Sequence, residues 1–326
     1  MKDHSRRDFM KFTGLSLGLG TLYAVAPALH STMLGRAFAE HTKDANGEAV
    51  KPFTFLQLSD SHVGFSGPPD PLGTAAFEHA VEVVNAMPQR PDFVLFTGDL
   101  THDTEDKDQH AARMGKFKEI AGRMKVDKTF CVPGEHDAGL DHGVLFRENF
   151  GDTHYSFDHQ GVHFIALDNV SRSKPEVGPE QLAWLKNDLA RFPKTAPIVV
   201  FTHRPLFDLR PDWEWFTSDG DEVMNALAPY EHVTVLYGHI HRDDEHEENH
   251  VKHYAARSLI FAMPDPEKVN GVKKPMPFDK DHPFQNLGIR SVSANGAELG
   301  VKDVELTLRE YSGVNGIQQL SKATNL

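Results

Sequence analysis

"CVPGEHDAG", residues 131–139, carries an apolar run into Pro133-Gly134 and then sets Glu135, His136 and Asp137 side by side. A Pro-Gly break after an apolar run ends a strand in a turn, and such a turn is ordinarily solvated. The stretch becomes part of a site only if other strands end in the same way. Four more do. "FTFLQLS" (53–59) leads into Asp60 and His62, and "DFVLFTG" (92–98) into Asp99. "PIVVFTH" (197–203) closes on His203, and "HVTVLYGHIH" (232–241) contains His239 and His241. Helix-like segments alternate with these runs, within 74–87, near 106–124 and in "GPEQLAWLKNDLARF", so the chain reads as α/β. In such folds ligand chemistry gathers at the carboxyl ends of strands. A one-residue spacing in Asp60-x-His62 and His239-x-His241 lets a strand-to-loop bend aim both side chains at one point. Gly98, Gly134 and Gly238 allow sharp turns beside them. A lone D-x-H or H-x-H is weak evidence, whereas five strand ends in order are not.

Taken together, Asp60-x-His62, Gly98-Asp99, Gly134-x-His136-Asp137, His203 and Gly238-His239-x-His241 resemble the ordered motifs of the calcineurin-like metallophosphoesterases over residues 53 to 245. "FIALDNV" and "GPEQLAWLKNDLA" are similar to the branch holding bacterial cyclic-nucleotide phosphodiesterases. The resemblance implies a sandwich of two mixed β-sheets flanked by helices, with two metal ions at the strand ends. It assigns Asp60, His62 and His241 to the first metal, His203 and His239 to the second, and Asp99 to both. It makes His136 the acid or phosphate-stabilising histidine, with Asp137 orienting its ring. The implied reaction is hydrolysis of a small-molecule phosphate ester, a diester before a monoester, the rival being an exported metal-binding protein without turnover. Carboxylate and imidazole ligands suit Fe, Mn or Zn, divalent or mixed-valence.

Members of that family carry Asn before the histidine, where this chain has Glu135. Two divalent ions bring four positive charges, against three negative ones from Asp60, Asp99 and a bridging hydroxide. Glu135 still presents an oxygen and is the seventh expected metal ligand; ionised, it cancels the remainder, which weakens the pull on dianionic monoesters relative to monoanionic diesters or favours a more highly charged metal such as ferric iron. The alternative is that Glu135 swings away and leaves the second site weak. Arg204, beside His203, suits a phosphate contact or an ion pair, and Asp168 and Asn169 end another strand near the same edge.

The rest of the chain bounds the function. Its 326 residues are 39% hydrophobic and 25% charged, with a formal net charge of −13, so nucleic acid and anionic lipid are repelled and no nucleic-acid binding is expected. Residues 1–39 join Arg6-Arg7, Phe9 and Lys11 to a weakly apolar run ending in Ala37-Phe38-Ala39, resembling a twin-arginine signal peptide. That implies the twin-arginine export machinery as partner, a periplasmic location and no stable membrane insertion after cleavage, with a retained anchor as the alternative. A linker over 40–51, a domain over 52–311 and a tail over 312–326 complete the expected organisation. Cys131 reads as a small buried residue. Trp213 and Trp215 read as core or as a wall for an apolar leaving group. His246, His250 and His253 read as parts of a solvated hairpin or as metal-gathering residues.

Overall fold

The computed structural model describes residues 51–306. The expected signal peptide, the linker up to residue 50 and the tail over 312–326 lie outside the described residues. Among the described residues no helix is long and apolar enough to cross a membrane.

Two sheets are built from strands whose alternate residues face opposite ways. The first contains β1 (Phe53–Leu58), β2 (Phe93–Thr97), β3 (Thr129–Val132), β10 (Gly288–Asn295) and β11 (Glu298–Glu305), in the order β11-β10-β1-β2-β3. Its first three strands run parallel, while β10 and β11 are antiparallel additions. The second contains β4 (Tyr155–His159), β5 (Val162–Ala166), β6 (Pro197–Phe201), β7 (His232–Tyr237), β8 (Asp244–Glu248) and β9 (Val251–Ala255), in the order β4-β5-β6-β7-β9-β8. Here β5, β6, β7 and β9 are parallel, and β4 and β8 run against their neighbours. Both sheets are therefore mixed.

Phe53, Phe55, Phe93 and Leu95 of the first sheet meet Phe164, Val199 and Phe201 of the second in one cluster, so these alternate positions glue sheet to sheet. The rings of Phe55 and Phe93 stack at 5.0 Å, and Phe93 meets Phe164 edge-on at 5.3 Å. Each fully buried Phe contributes about 1.5–3 kcal/mol by leaving water. The intervening residues Leu56, Leu58, Val94 and Phe96 face outward onto α1 (Ala75–Ala86), α2 (Lys107–Ala121) and α4 (Val144–Phe150). Asp106 starts α2 by accepting the N–H groups of Asp108 and Gln109 on its carboxylate, which satisfies two donors the helix leaves free. The other outer face, with Ile165, Ile198 and Val200, packs on α5 (Pro179–Leu189) and α6 (Gly220–Leu227).

Layers of helix, sheet, sheet and helix bring the carboxyl ends of β1, β2, β3, β6 and β7 to one edge. The strand expected to run to His241 stops at Tyr237, and the loop beyond it carries the histidines. Glu135–Ala138, expected as a turn, winds one helical turn, α3. The His-rich tract folds as the hairpin β8–β9, with Asn249 and His250 both in the left-handed region at its turn. None of its histidines joins the strand-end clusters: His246 stacks on Phe207, and His253 is buried. Cys131 is a buried free thiol whose pKa burial pushes up.

A candidate two-metal centre

Backbone geometry does the first part of the work. Asp60, His62, Asp99, His239 and His241, five of the seven expected ligands, have positive φ values between 40° and 66°. Such conformations are costly for residues other than Gly and cluster at functional sites. At Asp60, His62 and Asp99 they are held by continued pairing between the loops after β1 and β2, and after β7 the His239 amide donates to Asp60 Oδ1 at 3.1 Å. The amides of Asp60 and His62 donate to the carbonyls of Gly98 and Asp99 at 3.0 and 2.9 Å. Two glycines make room. A Cβ on Gly134 would lie 2.0 Å from Asp99 Oδ1, and one on Gly98 would lie 2.3 Å from His203 Nδ1.

Two groups of four side chains result: Asp60, His62, Asp99 and His241 form one, and Asp99, Glu135, His203 and His239 form the other, while His62 also lies in a group of three imidazoles with His102 and His136. Asp99 Oδ2 lies 3.3 Å from His62 Nε2 and 3.4 Å from His203 Nε2, so one carboxylate serves both. In the first group His62 Nε2 and His241 Nε2 are 3.0 Å apart, and His241 Nε2 is 3.4 Å from Asp60 Oδ1. In the second group Glu135 reaches His203 Nε2 at 2.8 Å with Oε2 and His239 Nδ1 at 2.9 Å with Oε1. An ion held about 2.1 Å from N and O donors at tetrahedral or octahedral angles sets neighbouring donors about 3.0–3.4 Å apart. The spacings around Asp99, His62 and His241 fall in that range, and the two Glu135 spacings of 2.8 and 2.9 Å lie just below it.

The proton arrangement agrees. Three imidazoles spend their outer N–H on main-chain carbonyls: His203 Nδ1 on Thr97, His239 Nε2 on Glu214 and His241 Nδ1 on Phe261, at 2.7, 3.1 and 2.9 Å. That fixes the tautomer and leaves a lone pair facing inward, as a metal ligand needs. His203 Nε2 and Glu135 Oε2 are buried without any hydrogen-bonded partner, although they face each other. A lone pair beside a carboxylate oxygen calls for a positive charge between them. The residues therefore fit a pair of cations.

Electrostatics point the same way. Burial would raise the acids, but His241 and His203 hold Asp60 below its ordinary range, and His239, His203 and Arg204 hold Glu135 well below it. Burial would lower His203, but the charges of Asp99 and Glu135 push it well above the usual imidazole value, so a proton competes with metal there. Burial and the neighbouring imidazoles push His62 well below.

His62 is the ligand whose outer nitrogen finds no carbonyl. Its Nδ1 faces His102 Nδ1 at 3.3 Å, and His102 Nε2 lies 3.5 Å from Asp103 Oδ1. His102 went unnoticed in the sequence because "GDLTHD" reads as a loop once Asp99 is assigned. His102→Ala is expected to lower first-site metal affinity about 10- to 100-fold, the usual effect of losing a ligand's outer partner. Titration of the metal-free protein with Zn or Mn measures this, and wild-type affinity in the variant would show that His62 needs no such support.

His136 lies beside the first group, its ring 4.7 Å from that of His62 and its Nε2 3.9 Å from Asp99 Oδ2. The expectation that Asp137 orients this ring is corrected by the geometry. Asp137 is buried and takes hydrogen bonds from the amides of Leu100, Thr101 and Gly134 and from the Thr101 hydroxyl. It ties the loop after β2 to the turn after β3. The partner of His136 is Asp103, whose Oδ1 is 2.9 Å from Nδ1. Burial opposes protonation of His136, but Asp99 and Asp103 raise its pKa to about 10.

Arg204 forms the ion pair among its two expected roles, with Nη2 3.5 Å from Glu135 Oε1 and Nη1 donating to the Glu214 carbonyl at 2.9 Å. Asn169 clamps that loop through the Arg204 carbonyl and amide, whereas Asp168 caps its own turn at Val170 and Ser171. Trp213 and Trp215 are 1% and 2% exposed and pack with Tyr237 and Ile240. They form core, not a substrate wall, and what they present to the site is the Glu214 carbonyl between them.

Comparison with known proteins agrees with this centre. The calcineurin-like phosphoesterase family model matches residues 53–243. The chain is 28% identical over 235 residues to the serine/threonine-protein phosphatase CPPED1 of Danio rerio, covering 64% of this chain and 76% of that one. It is 26% identical over 205 residues to a probable glycerophosphodiester phosphodiesterase, GpdQ, of Arcobacter nitrofigilis, covering 57% and 71%. A probable cyclic nucleotide phosphodiesterase of Rhodococcus erythropolis is 24% identical over 205 residues, covering 60% and 67%. Among solved structures, a dimetal phosphatase from Danio rerio superposes with a TM-score of 0.57 at 14% identity, over 78% of this chain and 98% of that one. A purple acid phosphatase from yellow lupin gives 0.55 at 14% identity, over 81% and 52%. With the family model matching more than half of its length, the chain belongs to the calcineurin-like phosphoesterase family.

Proposed function

We propose that this phosphoesterase hydrolyses phosphodiesters in preference to phosphomonoesters. The observation that carries the reading is Glu135, a carboxylate held ionised against His203, His239 and Arg204. It adds one negative charge to the centre, which disfavours a dianionic monoester more than a monoanionic diester. The likeness to a probable glycerophosphodiester phosphodiesterase and a probable cyclic nucleotide phosphodiesterase supports this reading. The likeness to a protein phosphatase favours monoesters as the second reading.

A pair of bound transition metals would supply Lewis acidity at the phosphoryl oxygens and an acidified attacking water. Asp99 would be shared between the two groups, and the carbonyl-anchored histidines would hold theirs without rotating. Water oxygen bonds to phosphorus as the ester P–O bond breaks, the water giving up one proton to solvent while the departing oxygen takes one up. His136 is placed to hold that proton on Nε2 while Asp103 fixes Nδ1. Protein loaded with Mn, Fe or Zn is expected to turn over bis-p-nitrophenyl phosphate with a higher kcat/KM than p-nitrophenyl phosphate. The reverse order would establish the monoester reading, and two bound metals without turnover of either would mark a binding protein.

A further inference from the structure

With the tryptophans committed to the core, the aromatic surface beside the centre comes from two other residues. Phe65, on the loop after His62, and Phe261, on the loop after β9, are both partly exposed. Their ring centroids are 5.1 Å apart. Phe261 lies 4.6 Å from the His241 ring and 6.1 Å from that of His62, and Phe65 meets His102 edge-on at 5.0 Å. The backbone holds each ring in place: Phe65 N–H donates to the His62 carbonyl at 2.9 Å, and the Phe261 carbonyl takes His241 Nδ1–H. The two rings thus move with the first-group ligands. A cleft of about 40 Å³ behind Phe261, reaching Pro69 and Phe278, is too small for another ring, so a guest would lie on the exposed faces.

The opposite flank of the centre is polar, formed by Glu135, Arg204 and the Glu214 carbonyl. The arginines bordering the aromatic flank are already engaged. Arg113 donates to the carbonyls of His102 and Asp103, and Arg242 lies 3.5 Å from Asp265. A second phosphate on that side would find no uncommitted partner in either. Apolar rings left in water at the lip of a catalytic centre gain by covering a flat apolar group.

We propose that Phe65 and Phe261 form the subsite for one ester substituent, and that the substrate carries an aromatic group there, such as an aryl or nucleobase-bearing alcohol. This rests on the phosphoester reading of the centre. The test is calorimetric titration of the metal-loaded protein with phenylphosphonate and methylphosphonate, which share the phosphonyl head and differ only in the ring. Wild type is expected to bind phenylphosphonate about tenfold tighter. Phe65→Ala and Phe261→Ala are each expected to bring that ratio toward one, the ratio being taken for Phe261→Ala on protein whose metal content has been measured, because its carbonyl supports His241. Phe65 sits on a surface loop, so its variant remains informative if Phe261→Ala fails to fold. A ratio near one in wild type, or an unchanged ratio in the folded variants, overturns the subsite. Because binding is measured without turnover, the subsite can fail while diester preference stands, and the converse holds.

Discussion

Asp99→Asn is expected to leave a folded protein that has lost both metals and at least about 10³-fold in kcat, equivalent to about 4 kcal/mol of barrier. The substitution isolates charge and ligation from shape. Asn tolerates the left-handed backbone that Asp99 adopts at φ 48°. It also keeps an oxygen to accept the His136 amide, now donated to Asp99 Oδ1 at 3.0 Å. What it loses is the second oxygen, 3.3 Å from His62 and 3.4 Å from His203, where an NH₂ group cannot ligate. Metal analysis beside thermal unfolding and kcat separates this from simple misfolding. Two equivalents of metal with wild-type kcat in Asp99→Asn would end the shared-ligand description.

Glu135→Asn is expected to shift the ratio of monoester to diester kcat/KM at least about tenfold toward the monoester. At an effective dielectric of about 20, one unit charge acting on another about 5 Å away is worth about 3 kcal/mol, and solvent at the mouth reduces that. Asn retains an oxygen for the second metal. Glu135→Ala, by contrast, is expected to lower occupancy of that metal by removing both oxygens opposite His203 and His239. Parallel assays on bis-p-nitrophenyl and p-nitrophenyl phosphates give the ratio. Equal metal content and an unchanged ratio in Glu135→Asn would dissociate this carboxylate from substrate choice.

Strand termini were the legible part of the chain, because a ligand type at the end of an apolar run is visible without knowing how the strands pair. Asp60, His62, Asp99, Glu135, His203, His239 and His241 all come together where that pattern places them. What one sequence hides is which neighbour faces which. Asp137 follows His136, yet successive residues on a helical turn point in different directions, so adjacency misled. Asp103 supports the ring instead, brought there from 33 positions away by the loop after β2. β4 escaped notice because Tyr155–His159 is only five residues long, too short for the alternation of Tyr155 and Phe157 with polar neighbours to stand out. The core reading of the tryptophans holds, since they pack against Tyr237 and Ile240; the alternative of a substrate wall arose because a Pro- and Asp-bearing insertion reads as surface.

The left-handed bends at the ligands carry a consequence for the evolvability of this scaffold. At about 1 kcal/mol or more apiece, five such residues consume a sum comparable to the whole net stability of a typical domain. Selection for sturdiness alone would favour glycine at these corners, and every such exchange would delete a ligand. Thermotolerant descendants of this chain would therefore be sought in the phenylalanine seam between the sheets, with the corners left as they are.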